Sequence, residues 1–141
     1  MKLISNYPVM LVEDDDVDIL STKRAFKELA VPNELIVQKN GEAALEYLMD
    51  SENPVPGLIL LDLNMPKING IEFLKAYKKN DRVGWIPAVV LTTSTNHRDI
   101  DAAYKNQAAG YVVKPLDFDE YKDVIKSVFE YWNLCELPEF P

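Results

Sequence analysis

Short uninterrupted apolar runs alternate along the chain with longer stretches in which apolar residues recur at helical spacing. The runs are Val9-Met10-Leu11-Val12, Leu35-Ile36-Val37, Leu58-Ile59-Leu60-Leu61, Ala88-Val89-Val90-Leu91 and Gly110-Tyr111-Val112-Val113. Each is too short for a helix and reads as a strand. The intervening spacing predicts helices over Val17 to Ala30, through Val17, Leu20, Phe26 and Leu29, and over Gly41 to Met49, through Ala44, Leu45 and Leu48. Further helices are predicted over Ile71 to Lys79 and Asp99 to Gln107. The last one opens on a capping-box pattern, Asp117 with Glu120, and continues through Tyr121, Ile125, Val128, Phe129 and Trp132. Pro32-Asn33, Asn53-Pro54, Pro56-Gly57, Met65-Pro66 and Asn69-Gly70 punctuate the connections. The order is βα, repeated five times. Strands without polar alternation have both sheet faces covered. Right-handed crossovers then give an α/β fold, a doubly wound parallel sheet with helices on both sides. Ligands of such sheets bind at the carboxyl ends of the strands, near the topological switch point.

Composition narrows the function classes. The 141 residues match one ordinary domain and show no internal repeat or low-complexity segment. Lys+Arg 15 against Asp+Glu 23 gives a net charge of −8, which argues against nucleic acid and anionic membranes as partners. The single Cys135 excludes an internal disulfide and a cysteine-based zinc site. Met1 to Pro8 lacks the apolar core of a secretion signal, and no apolar run approaches membrane-spanning length. The expectation is a soluble cytoplasmic protein.

Four of the five runs end in polar groups: Glu13-Asp14 after the first, Asp62 after the third, Thr92 after the fourth and Lys114 after the fifth. All fall on one edge of the sheet. Three carboxylates crowded there repel one another, so cations must compensate. Lys114 supplies one charge, and carboxylates with carbonyls and water suit Mg²⁺ or Mn²⁺ for another. A carboxylate can attack phosphorus to form an aspartyl phosphate, with the metal, Lys114 and the Thr92 hydroxyl stabilising the phosphoryl oxygens.

On these residues the sequence resembles the receiver domain of bacterial two-component response regulators. The pieces that carry the resemblance are Leu11-Val12-Glu13-Asp14-Asp15, Leu60-Leu61-Asp62-Leu63-Asn64-Met65-Pro66, Gly70, Leu91-Thr92-Thr93 and Gly110-Tyr111-Val112-Val113-Lys114-Pro115, in the family's order. The resemblance implies a five-stranded flavodoxin-like fold with strand order 2-1-3-4-5, a receiver over residues 1–132, a tail over 133–141 and no separate output domain. It implies that Asp62 is the phosphoacceptor and Asp14 a direct Mg²⁺ ligand. Glu13 then holds the metal through water, and Asn64 offers its backbone carbonyl. Thr92 and Tyr111 become the switch pair, Lys114 contacts the phosphoryl group, and the Lys114-Pro115 bond is cis. Glu13-Asp14 departs from the commoner Asp-Asp pair, and Asn64 and Ser94 occupy positions that influence phosphoryl lifetime.

The function implied is a phosphorylation-controlled binding switch or phosphorelay shuttle. It is fed by a sensor histidine kinase or histidine phosphotransfer protein, and its output is a protein–protein contact. The Glu13-Asp14-Asp15-Asp16 start and the Tyr131-Trp132-Asn133-Leu134-Cys135-Glu136-Leu137-Pro138 tail resemble the phytochrome-associated subgroup, which makes a phytochrome-type kinase one expected donor. A receiver-like scaffold without phosphorylation is disfavoured by the intact Asp14, Asp62, Thr92 and Lys114. An aspartyl-phosphate phosphohydrolase is disfavoured because Asn64 stands where its second acid belongs. A flavin protein would need a phosphate loop where Glu13 to Asp16 would repel phosphate.

Several residues are read blandly. Asp14, Asp16 and Asp18 resemble a calcium loop, but Ile19 replaces its glycine. Asp16 and Asp18 are instead expected to favour a helix start. His97 is expected in a loop. Trp132, Leu134, Leu137 and Phe140 either fold back over the core or form a homodimer contact. By the same resemblance, Tyr104 and Tyr111, flanking the fourth helix, belong to the surface most often used by the family for dimers and partners.

Overall fold

The structure is a computed structural model that describes residues 7–65 and 67–138; Pro66 and Phe140, both singled out above, lie outside the described residues. Five strands, β1 (Val9–Val12), β2 (Leu35–Gln38), β3 (Leu58–Leu61), β4 (Ala88–Thr92) and β5 (Gly110–Val113), alternate with five helices. These are α1 (Asp16–Glu28), α2 (Gly41–Met49), α3 (Gly70–Lys78), α4 (His97–Lys105) and α5 (Phe118–Trp132). The strands pair in parallel in the order β2-β1-β3-β4-β5, as expected.

Alternation along the strands sends side chains to two cores. Met10, Val12, Ile59, Leu61, Ala88 and Val90 face Ala44 and Leu48 of α2, Phe73, Leu74 and Tyr77 of α3, and Ala103 of α4. Val9, Leu11, Leu58, Leu60, Val89 and Leu91 face Ile19, Ala25 and Phe26 of α1 and Tyr121, Ile125 and Phe129 of α5. Strands β1, β3 and β4 are buried throughout, whereas the edge strands β2 and β5 are mostly half-buried. No helix among the described residues is long and apolar enough to cross a membrane.

Every helix opens on an Asx cap: Asp15, Asn40, Asn69, Asn96 and Asp117 accept backbone N–H bonds from the first turns. The caps shift the boundaries. Helix α4 begins at His97 because Asn96 caps it, so His97 is an exposed helical residue rather than a loop residue. Helix α1 ends before Ala30, which adopts φ 54 while Val31 N–H bonds Phe26 O; Gln107 closes α4 in the same way with φ 71.

The apolar stripe of α1 also differs. Val17 and Leu20 are 71% and 65% exposed, and Thr22 is buried in their stead. Its hydroxyl bonds Asp18 O at 2.9 Å and pairs with the Tyr121 hydroxyl at 2.7 Å, which satisfies a polar group inside the core. The Lys114-Pro115 bond is trans, against expectation, as is every peptide bond among the described residues. The two isomers of an X-Pro bond differ by only about 0.5–1 kcal/mol, so residue types alone leave the choice open.

In the tail, Trp132 and Leu137 pack against the α1/α5 core, and Tyr7 donates from its hydroxyl to Pro138 O at 2.8 Å, while Leu134 stays 81% exposed. Fold-back therefore holds for Trp132 and Leu137 but not for Leu134.

Candidate functional site

The sheet ladder runs one residue past the apolar runs and pins the strand-end residues. Glu13 N–H bonds Gln38 O at 3.0 Å, Asp62 N–H bonds Val12 O at 3.0 Å, and Lys114 N–H bonds Thr92 O at 2.8 Å. The backbone of each group is thus set by its neighbouring strand. Carboxylate oxygens of Glu13, Asp14 and Asp62 lie within 4.8 Å of one another, Glu13 and Asp62 being buried and Asp14 exposed. Three carboxylates at that spacing suit a hard divalent cation, which brings the charge that their own repulsion calls for.

The charges are strongly coupled. Burial pushes Glu13 up to about 7; Lys114 pulls it back and the negative Asp62 raises it further. Burial would lower Lys114, but its bonds to Glu13 and Asp18 outweigh that and hold the ammonium above its ordinary value. Lys114 therefore stays charged, while Glu13 is the group whose protonation responds to the neighbourhood. The Lys114 Nζ contacts Glu13 Oε1 directly and reaches Asp18 Oδ2 at 3.0 Å.

Thr92 is fully buried, and its Oγ1 accepts from Ser94 N–H at 3.5 Å. Tyr111, half-buried, donates from its hydroxyl to Ser94 O at 2.9 Å, and Ser94 Oγ donates to Asp99 Oδ2 at 2.5 Å. Ser94 thus links the Thr92 segment to Tyr111 and to the first turn of α4. A cleft of about 370 Å³ opens beside the carboxylates, lined by Asp14, Leu63, Asn64, Met65, Asn69, Ile71 and Asp99. Another groove, of about 720 Å³, is lined by residues of α1, β2 and α2; it includes Lys39 and Asp16 and none of Glu13, Asp14, Asp62, Thr92 or Lys114.

Glycine at position 70 keeps the floor of the site in place. A Cβ there would sit 2.6 Å from Asp62 O and 2.7 Å from Leu63 Cα, so the start of α3 can approach the strand end only without a side chain.

The structure brings Glu13, Asp14, Asp62, Thr92 and Lys114 to one edge, with Asn64 on the cleft and Tyr111 joined through Ser94. Sequence reasoning missed Asp18 and Asp99. Asp18 meets Lys114 across 96 positions, and nothing local separates it from an acid that merely favours a helix start. Asp15 caps α1, Asp16 and Asp18 lie in its first turn as expected, and Asp16 also pairs with Lys39 at 2.7 Å.

Known proteins resemble this chain in sequence and fold. The chain matches the response regulator receiver domain over residues 9–126. It is 39% identical over 127 residues to the probable methanogenesis regulatory protein FilR2 of Methanothrix harundinacea, covering 88% of this chain and 82% of that one. It is 35% identical to the response regulator Rcp1 of Synechocystis, covering 91% of each chain. The crystal structure of Mn²⁺-bound Rcp1 superimposes with a TM-score of 0.86 at 33% identity, over 94% of this chain and 99% of Rcp1. The phosphorylated cyanobacterial phytochrome response regulator RcpA gives a TM-score of 0.86 at 32% identity, over 96% of this chain and all of RcpA. A match spanning nearly the whole sheet, with relatives above 30% identity aligned along most of their length, places this chain in the response regulator receiver domain family of two-component systems.

Proposed function

We propose that this protein accepts a phosphoryl group on Asp62 and works as a phosphorylation-controlled protein-binding switch or phosphorelay shuttle. The observation that carries the reading is the carboxylate cluster of Glu13, Asp14 and Asp62, with the buried Lys114 ammonium at its side. Glu13, Asp14, Asp62 and the Asn64 carbonyl are the groups that would hold Mg²⁺. When bound, Mg²⁺ neutralises charge on the phosphoryl oxygens. Asp62 Oδ is the nucleophile toward phosphorus: as its bond to phosphorus forms, the donor's P–N bond breaks and the imidazole leaves. Lys114 supplies a fixed positive charge on the same edge, and the Thr92 hydroxyl a hydrogen bond to a phosphoryl oxygen.

Thr92 and Tyr111 form the readout. Drawing the Thr92 hydroxyl toward Asp62 disturbs its contact with Ser94, which is also the acceptor of the Tyr111 hydroxyl. Tyr111 is thereby freed to change its position.

The donor on this reading is a sensor histidine kinase or a histidine phosphotransfer protein in the cytoplasm. The likeness to RcpA, described as a phytochrome response regulator, supports a phytochrome-type kinase. Val17 and Leu20 of α1, with Leu116 after β5, stand exposed on elements that frame Asp62 and suit a protein donor's docking face. Residues 1–132 act as the receiver and residues 133–141 as a tail. The chemistry is confined to the protein's own Asp62.

The test is intact mass after incubation with Mg²⁺ and acetyl phosphate, beside D62N. One added phosphoryl group in the wild type alone is the expected result. Equal uptake by D62N, or uptake that a chelator leaves unchanged, would overturn the assignment.

A further inference from the structure

The Lys114 side chain is 8% exposed and divided between two carboxylates, the 2% exposed Glu13 and the 39% exposed Asp18. Asp18 lies outside the carboxylate cluster and outside the cleft. Its position is firmly held. It stands in the first turn of α1, its carbonyl accepts from the Thr22 hydroxyl, and Thr22 joins Tyr121 of α5 inside the core. Two of the three ammonium donors go to Glu13 and Asp18, and a phosphoryl group on Asp62 brings a further anion to the same cation, in competition with the more weakly held of the two. Asp18 is 39% exposed and is rehydrated when its contact loosens, whereas Glu13, 2% exposed, has no such replacement by bulk water. The contact that yields is therefore the one to Asp18.

We propose that Asp18 is a positioning residue of the phosphoryl site: it competes with the incoming anion for the Lys114 ammonium and so sets how readily Asp62 is occupied. This rests on the phosphoacceptor reading above. Asp16 provides an internal comparison, since it carries the same charge on the same helix but pairs with Lys39 instead.

The experiment titrates the full chain with beryllofluoride in excess Mg²⁺, for the wild type, D18N and D16N, at low and high salt. It also follows the Lys114 ammonium resonance by NMR. Expected is binding about 5–10-fold tighter in D18N, as for loss of a half-exposed ion pair, with the advantage shrinking at high salt and D16N matching the wild type. The Lys114 resonance should move in D18N and stay in place in D16N. Equal affinities in D18N and wild type would overturn the inference. So would equal gains in D18N and D16N, which would mean general charge removal, and so would an unmoved Lys114 resonance. Failure of the underlying reading looks different: the wild type itself would then show no Mg²⁺-dependent beryllofluoride binding.

Discussion

Without a divalent cation, the carboxylate cluster should strain the fold, and D62N should therefore be more stable than the wild type. Glu13 and Asp62 are 2% and 8% exposed, with carboxylate oxygens within 4.8 Å. At an effective dielectric near 20, like charges at that spacing repel by about 3.5 kcal/mol, and the exposed Asp14 adds about 1 kcal/mol at the dielectric of water. The Lys114 ammonium offsets part of this, leaving an expected gain of about 1–3 kcal/mol. For a domain of this size that is a rise in Tm of about 3–9 °C.

The gain depends on pH. The folded-state pKa of Glu13, about 7, lies above its ordinary 4.5. Its protonated form therefore supports the fold, a contribution that is complete below 4.5 and lost as pH rises through 7. Asp62 is one cause of that shift, so the advantage of D62N should grow between pH 5 and pH 8. Melting in EDTA across that range, then with added Mg²⁺, measures both effects. Mg²⁺ should raise the wild-type Tm more than that of D62N and close the gap. A D62N protein less stable than wild type at pH 8, or a gap unaffected by both pH and Mg²⁺, would refute the reasoning.

Three further outcomes are expected. Gly70→Ala drives a Cβ to within 2.6 Å of Asp62 O and 2.7 Å of Leu63 Cα, so it should cost about 2–3 kcal/mol in urea unfolding and weaken Mg²⁺ binding seen by fluorescence titration; a neutral substitution would show that the loop has slack. Ala30→Gly relieves a left-handed residue at the end of α1 and should stabilise by about 0.5–1 kcal/mol, while a loss would mean that the Ala30 side chain contributes packing. Deleting residues 133–141 uncovers the core beneath Leu137 and removes the Tyr7 acceptor, so it should cost about 1–2 kcal/mol without changing the oligomeric state on sizing; a halved particle mass would make the tail a dimer contact instead.

Local patterning was enough to read the elements and the groups that end them. Val9–Val12, Leu58–Leu61 and residues 88–91 are apolar without interruption because helices cover both faces of their strands, and a polar residue follows at the carboxyl end of each run. Glu13, Asp62, Thr92 and Lys114 were legible for this reason, since parallel strands deliver their carboxyl ends to one edge. The α1 face was misread because Val17 and Leu20 are apolar yet exposed, while the polar Thr22 is buried. Its burial depends on a hydroxyl 99 residues away. The ends of α1 and α4 were misplaced because Ala30 and Gln107 adopt a backbone conformation that glycine would have signalled.

What the sequence determined by itself is the order of elements, the parallel sheet and the chemical types gathered at its edge, because hydrophobic period and turn chemistry act over a few residues. Only the tertiary structure decided which partner each charge takes. Lys114 turns to Glu13 and Asp18, Asp16 turns to Lys39, and Ser94 joins Thr92 to Tyr111. Most of these contacts join residues far apart in the chain. Around Lys114, Glu13 and Thr92 burial makes an unpaired charge or hydroxyl costly, while the exposed Asp16–Lys39 pair follows only from the proximity that packing creates.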